Sequence, residues 1–297
     1  MSREPLFHQP LPGTFEEVLR AIADEHTPKR KYIAAKPFLK WVGGKRSILP
    51  ELLARMPDHY DTYHELFLGG GALFFAVQPQ KAYLSDINFH LVITFRAIKN
   101  DVERVIYHLK KHAENHNKDY YLKARELLFV EKDETKIAAL FIYLNKTCYN
   151  GLYRVNKLGK FNVPIGSYKE PSIVDEQNLR NCSLVLQADD IEQQTFKQVR
   201  PSKNGFYYLD PPYHQTYDGY ANTGFGDEQH KELAYFCHKI DAKGGKFMLS
   251  NSDTPFVREL YARYTIEEVM AARSVSCKAN QRNKENELII RNYTTNR

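Results

Sequence analysis

Along the chain, short runs rich in β-branched and aromatic residues alternate with longer stretches in which apolar side chains recur every three or four positions. The runs at 63–68, 82–85, 184–187, 206–209 and 246–250 each end in polar or glycine-bearing turns. They predict buried strands of a mostly parallel sheet with helices between them. Two later runs, 265–270 and 287–293, bracket a polar stretch at 274–285 and predict a closing β-hairpin. Between 88 and 145 the period changes: Val102, Val105, Ile106 and Leu109 share one helical face, as do Ile137, Leu140, Phe141 and Leu144. That pattern predicts a mostly helical lobe inserted into an α/β sheet domain. Near the amino terminus, Thr14 with Glu17 three positions on, then Val18, Leu19, Ile22 and Ala23, predicts a capping box opening a short amphipathic helix. Residues 26–35, with Pro28 and the Lys29, Arg30, Lys31 run, read as a linker, and the main fold is expected to begin near Pro37. The expected organisation is an extension at 1–36, a sheet domain from 37–88 and 175–297, and a helical lobe at 89–174.

The chain has 297 residues, enough for one large α/β domain with such an insertion. Its apolar runs are interrupted well short of a membrane span, and residues 1–13 carry acid, His and Pro where an export signal needs a basic start and a continuous apolar segment. Cys148, Cys182, Cys237 and Cys277 never form a C-x-x-C pair, which argues against a zinc site or a disulfide framework and for a reducing cytoplasm. No metal is expected. A net charge of +6 and a pI near 8.9 point weakly to a polyanionic partner. The basic residues concentrate at 29–31, 36–46, 146–160 and 273–284; each cluster taken alone fits a solvated surface equally well.

The strongest chemical signal is Tyr207-Tyr208-Leu209-Asp210-Pro211-Pro212-Tyr213, an apolar strand running into an acid, two prolines and an aromatic. Adjacent prolines fix φ twice and remove two N–H donors, leaving a rigid set of acceptors. Asp210 and the Pro211 carbonyl can each accept one N–H of an amino group, and Tyr213 can stack on the planar base that bears it. A plain Asp-Pro turn after a strand is the simpler alternative. The second signal is Glu65-Leu66-Phe67-Leu68-Gly69-Gly70-Gly71-Ala72, a strand ending in glycines that allow a nucleotide-like ligand close to the backbone. The next strand ends at Asp86, where ribose hydroxyls are usually held. Upstream, Phe38-Leu39-Lys40-Trp41-Val42-Gly43-Gly44-Lys45-Arg46 holds the one tryptophan. It fits either a packing residue beside a basic turn or a surface for adenosine with a lysine for a carboxylate.

Taken together, Lys-Trp-x-Gly-Gly-Lys, Phe-x-Gly-x-Gly, Ser-Asp-Ile-Asn, Tyr-Asn-Gly-Leu-x-Arg, Phe-Asn-Val-Pro and Asp-Pro-Pro-Tyr, in this order from Phe38 to Tyr213, resemble the Dam-like D12 class (alpha group) of adenine-N6 DNA methyltransferases. The later hairpin extends the similarity to about Tyr293. The resemblance implies a Rossmann-like class I methyltransferase sheet, S-adenosylmethionine as methyl donor, double-stranded DNA as partner, base flipping, and monomers in the cytoplasm. It implies that Trp41, Lys45, Phe67, Gly69, Gly71 and Asp86 line the cofactor pocket, with Asp189 a further acid near the cofactor adenine and Asp210 touching both cofactor and target amine. Asp210, Pro211, Pro212 and Tyr213 would form the catalytic loop. Tyr149 is implied at the DNA stack, with Asn150, Leu152, Arg154, Lys40 and Pro164 as further DNA contacts. A guanidinium at Arg154 can bind guanine O6 and N7 together. The matched set suggests a GATC-like palindrome.

Three departures stand out: residues 1–36 have no counterpart in short relatives, Ser167 follows Gly166 where some relatives carry arginine, and 273–284 lacks a glycine-rich tip. Related loops also serve RNA and protein-glutamine methyltransferases, against which the Arg154 lobe argues. A catalytically idle DNA-binding subunit is disfavoured by the intact Trp41, Lys45, Asp86 and Asp210 set, and a nicotinamide dehydrogenase by glycine spacing shorter than G-x-G-x-x-G.

Overall fold

The runs of Tyr, Phe, Leu and Val do become a sheet, whose strand order places the glycine loop beside the proline loop. A computed structural model describes residues 32–215, 225–271 and 285–295. The capping box at Thr14, most of the expected linker, Cys277 and the basic segment at 273–284 lie outside the described residues.

Among the described residues a seven-stranded sheet is formed by β1 (Thr62–Glu65), β2 (Ala82–Asp86), β3 (Asp190–Gln193), β4 (Gly205–Leu209), β5 (Lys246–Ser252), β6 (Thr265–Ala271) and β7 (Glu285–Arg291). Their order is β3-β2-β1-β4-β5-β7-β6. The first five strands run parallel, and β7 pairs antiparallel with both β5 and β6. The chain therefore leaves β1 toward β2 on one side while β4 lies on the other. This reversal of direction opens a crevice at the carboxyl ends of β1 and β4, where α/β sheets bind ligands. β4 is buried throughout, consistent with a central parallel strand covered on both faces.

One strand expectation is overturned. Residues 184–187 are not a strand; most of them form the last turn of a helix, α6 (Glu176–Leu186), capped by Asp175, whose side chain accepts from the Asn178 N–H. Its buried positions, among them Leu179, Cys182, Val185 and Leu186, recur with helical spacing. The strand follows it as β3, a polar edge strand with only Ile191 buried.

Helices α1 (Leu49–Ala54) and α2 (Ala72–Val77) flank β1. The helical region holds α3 (Phe89–Glu114), α4 (Lys118–Leu127) and α5 (Glu134–Thr147). Each starts where a side chain caps its free N–H groups: Asn88, Asn117 and Asp133 respectively. α3 is interrupted at Asp101 (φ −152°, ψ 63°), and the Asp101 side chain accepts the Arg104 N–H to restart it. One apolar cluster runs from the face of the sheet through Phe95 and Ile98 of α3 to Phe141 and Leu144 of α5. Helices α7 (Asp227–Ala242) and α8 (Pro255–Leu260) cover the other face around Phe236, Ile240 and Val257. No helix among the described residues is long and apolar enough to cross a membrane.

Candidate active site

The glycine loop leaves β1 and enters α2 through Gly71, which has φ +67° and occupies the N-cap. Gly69 also has positive φ, and a Cβ there would lie 2.7 Å from Cδ1 of Trp41. Glycine is thus required twice over, by conformation and by the indole packed against it. The loop is tied to the next strand: the Gly69 N–H donates to Asp86 Oδ2 at 3.0 Å and the Asn88 N–H to Asp86 Oδ1 at 2.9 Å. Each carboxylate oxygen keeps acceptor capacity for a hydroxyl pair. Trp41 also stacks on Tyr153, with centroids 6.3 Å apart, so it both packs and lines the cleft.

Across the crevice, β4 delivers Asp210. Its Oδ1 lies 2.9 Å from Lys45 Nζ, an ammonium that also donates to the Gly43 carbonyl at 2.7 Å and sits 4.6 Å above the Tyr213 ring. Lys45 is 6 % exposed, and a cation so buried requires such a partner. The Tyr213 hydroxyl donates to Glu287 Oε2 at 2.6 Å. Beyond it the loop is fastened to β5: the His214 N–H donates to Asn251 Oδ1 at 3.0 Å, and Ser252 Oγ donates to the His214 carbonyl at 2.6 Å. Beneath Asp210 lies the buried Glu65, which accepts the Tyr63 hydroxyl at 2.6 Å. Burial pushes its carboxyl up to about 8, with the negative Asp210 adding to the effect and the Tyr63 bond opposing it. A second full charge next to Asp210 is thereby suppressed at neutral pH.

The third part of the site comes from the end of α5. Asn145, buried, accepts the Lys40 N–H at 2.8 Å and donates to the Lys40 carbonyl at 2.7 Å and the Gly151 carbonyl at 3.1 Å. One side-chain amide thus joins the Lys40-Trp41 loop to the turn Tyr149–Gly151. The two approach so closely that a Cβ on Gly151, which has φ +65°, would lie 2.4 Å from Cβ of Lys40. Arg154 follows the turn; its Nε donates to Asn162 Oδ1 at 2.8 Å and its Nη2 to the Asn162 carbonyl at 3.3 Å. A bridge between Val155 and Phe161 closes this small hairpin. Tyr149 is exposed, and its N–H donates to the Pro164 carbonyl at 2.9 Å. Lys40 Nζ lies 4.0 Å above the Tyr168 ring.

All three parts open on one cleft of about 1820 Å³, larger than the roughly 300–1,000 Å³ of a single small-molecule site. Trp41, Lys45, Phe67, Gly69, Gly71, Asp86 and Asp210 line it, with Pro211, Pro212 and Tyr213. Lys40, Asn150, Leu152 and Arg154 line it as well, while Tyr149, next to Asn150 in the chain, and Pro164 lie outside the lining. Asp189 does not reach it. That residue is fully buried between α6 and β3, where Oδ1 accepts the Ala82 N–H at 3.0 Å. The misplaced strand put it at a strand end; the residues after β3 that do line the cleft are Thr195, Phe196 and Lys197. Phe196, Phe225 and Glu287 also line it without having been singled out. Phe67 sits 5.9 Å from Phe196 and 5.8 Å from Phe225, ring centre to ring centre. A Phe a few residues past a short polar strand was the available signal for Phe196; Phe225 and Glu287 are brought in from far along the chain. An aromatic set, a glycine loop, an acid at a strand end and a lysine form a donor and stacking set that fits an adenosine bearing an amino acid.

Residues 41–275 match the family described as D12 class N6 adenine-specific DNA methyltransferase. The chain is 42 % identical to the Type II methyltransferase M.MjaIII of Methanocaldococcus jannaschii, over 87 % of this chain and 99 % of that one. It is 37 % identical to the Type II methyltransferase M1.LlaDCHI of Lactococcus lactis subsp. cremoris, over 89 % and 98 % of the respective chains. It is 33 % identical to a DNA adenine methylase of Haemophilus influenzae, over 92 % and 98 %.

Proposed function

The chain belongs to the D12 class of N6 adenine-specific DNA methyltransferases, and on that premise we propose that it moves a methyl group from S-adenosylmethionine to N6 of a flipped adenine within a GATC-like palindrome of double-stranded DNA. The observation that carries this reading is the meeting of Asp210-Pro211-Pro212-Tyr213 and the Gly69–Asp86 loop pair on one cleft at the carboxyl ends of β4, β1 and β2.

The bound sulfonium supplies an electrophilic methyl group without acid or metal assistance from the protein. Asp86 and the Gly69 backbone would hold the ribose, the Phe67, Phe196 and Phe225 rings the adenine, and Lys45 the carboxylate of the amino-acid end. The target amine is unreachable inside the duplex, so the base leaves the stack. Tyr213 stacks on it, while Asp210 and the Pro211 carbonyl accept its two N–H groups and aim the nitrogen lone pair at the methyl carbon. When bound, the cofactor would offer its methyl carbon to the nitrogen lone pair and keep the S–C electron pair as a thioether, while the amine would lose one proton on the side of Asp210 and the Pro211 carbonyl. Catalysis on this reading is positioning and electrostatics. Residues 89–174 serve as the recognition lobe, with Arg154 on a base edge and Tyr149 against the stack, and Lys40, from the loop that Asn145 binds, adds a further base contact.

The test is methyl transfer from labelled S-adenosylmethionine to duplex DNA, single-stranded RNA and protein, followed by sequencing of the methylated bases. The expected product is N6-methyladenine in duplex DNA, lost in Asp210→Ala. Methylation of RNA or protein in preference to duplex DNA, or an Asp210→Ala enzyme within a few-fold of wild type, overturns the reading.

A further inference from the structure

We infer that Glu287 is a positioning residue for the methyl-transfer step, holding the ring plane of Tyr213 against the target base. The inference rests on the proposed stacking role of Tyr213 and assigns a function to a residue of the distant strand β7.

A stacking aromatic is useful only if its plane is fixed before the base arrives. Tyr213 follows two prolines, which fix the backbone but leave both side-chain torsions of the tyrosine to be set by contacts. Two contacts bear on them. On the face of the ring lies Lys45 Nζ at 4.6 Å, and at its far end the hydroxyl donates to Glu287 Oε2 at 2.6 Å. That separation lies in the range of O–H···O⁻ bonds, which are about twice as strong as neutral ones. Burial and the charges of Asp210 and Glu287 keep the phenol well above its ordinary range, so it remains a donor.

Glu287 is itself rigidly mounted. It sits opposite Ser252 of β5 and opposite Val269 of β6, so its backbone is held by ladders on both sides. Its charge is otherwise a liability. A carboxylate lining a cleft that must admit a polyanion raises the free energy of the bound state. The phenol bond is what the structure shows it contributing there.

This geometry changes the expectation for Tyr213→Phe. A stacking role alone predicts that the π face suffices, whereas a tethered ring predicts that Phe fails along with the loss of Glu287.

The experiment compares Glu287→Ala, Glu287→Gln, Tyr213→Phe and the Glu287→Ala, Tyr213→Phe double variant of the full chain on a GATC duplex, measuring kcat, KM and cofactor affinity. A parallel duplex carries 2-aminopurine at the target position. Glu287→Ala and Tyr213→Phe should each lower kcat on the order of tenfold to a hundredfold, the equivalent of one hydrogen bond to a charged group. Cofactor affinity should stay within about twofold of wild type, and the double variant should be no worse than the weaker single one, since both remove the same bond. Glu287→Gln should recover most of the activity, because its amide oxygen accepts the same hydroxyl. Fluorescence of the flipped 2-aminopurine, quenched by a fixed ring, should rise in Glu287→Ala. Losses that multiply in the double variant, a Glu287→Ala enzyme within twofold of wild type, or a Glu287→Gln enzyme as weak as Tyr213→Phe would overturn the inference. If Glu287→Ala fails to fold, the comparison of Glu287→Gln with Tyr213→Phe decides alone. A wild-type enzyme that does not methylate duplex DNA would instead refute the underlying function, which the same assay reads separately.

Discussion

Replacing Arg154 tests how the proposed recognition turn reads DNA. Of the five N–H donors of a guanidinium, the structure commits two to Asn162, one from Nε and one from Nη2. Those bonds clamp the inner edge of the group to its own hairpin and leave the outer edge, Nη1 with the second proton of Nη2, as a preset fork. A fork of this kind bound to guanine O6 and N7 contributes about 1–3 kcal/mol of discrimination, or roughly 5- to 150-fold in relative rate. Arg154→Ala should therefore reduce kcat/KM on the preferred duplex by that factor while changing little on duplexes altered at the contacted guanine. Lysine has a single ammonium and cannot rebuild the fork, so Arg154→Lys should also lose selectivity. Asn162→Ala keeps the guanidinium but frees its stem, and a smaller loss in the same direction is expected. The assay is kcat/KM for the preferred duplex and its single-base variants at one fixed salt concentration. If Arg154→Ala slows every duplex by the same factor, the residue anchors phosphate and the reasoning about the fork is wrong.

Two further outcomes follow from the geometry. Asp86→Ala removes a carboxylate that ties down the Gly69 loop and that the proposed function assigns to the ribose; the Kd for S-adenosylmethionine by calorimetry should rise by about one to two orders of magnitude, and an unchanged Kd would count against the assignment. Burial holds His64, His112 and His230 at about 4, well below the ordinary histidine value. The unfolded chain takes up protons from about pH 6.5 downward while the fold refuses them until about 4, so stability should fall with pH across that window. The slope is on the order of 1 kcal/mol per pH unit for each histidine; denaturant midpoints that do not move between pH 7 and pH 5 would contradict it.

Much of the sheet was legible because its strands are apolar or aromatic runs cut off by turn residues, as at Gly205–Leu209 and Lys246–Ser252. The reading failed where that rule reverses. In α6, Leu184, Val185 and Leu186 form a short apolar run at the end of a helix, and a run so short carries no period that separates helix from strand. β3 is polar because it lies at the edge of the sheet, so composition hid it and carried Asp189 into the wrong environment. The Asp-Pro-Pro-Tyr and glycine loops were legible because their residues are contiguous in the chain. Glu287 was not, since it meets Tyr213 from 74 positions away. Asn145 and Asn162 look like ordinary polar residues until the backbones they bind are known.

Asn145 carries a mechanical consequence. Because one amide binds the backbones of Lys40 and Gly151 at once, with no space between the two loops for even a methyl group, the proposed reading turn and the proposed methylating cleft are joined like the jaws of a locked caliper. Successive base pairs differ by about 3.4 Å along the duplex. If the proposed roles hold, a tool of fixed span selects its adenine by distance from the bases it grips, and the spacing within the target is written into the protein as a length. On this view a duplex with one extra base pair between the gripped bases and the adenine presents the right letters at the wrong mark, and flexing of the junction cannot correct it.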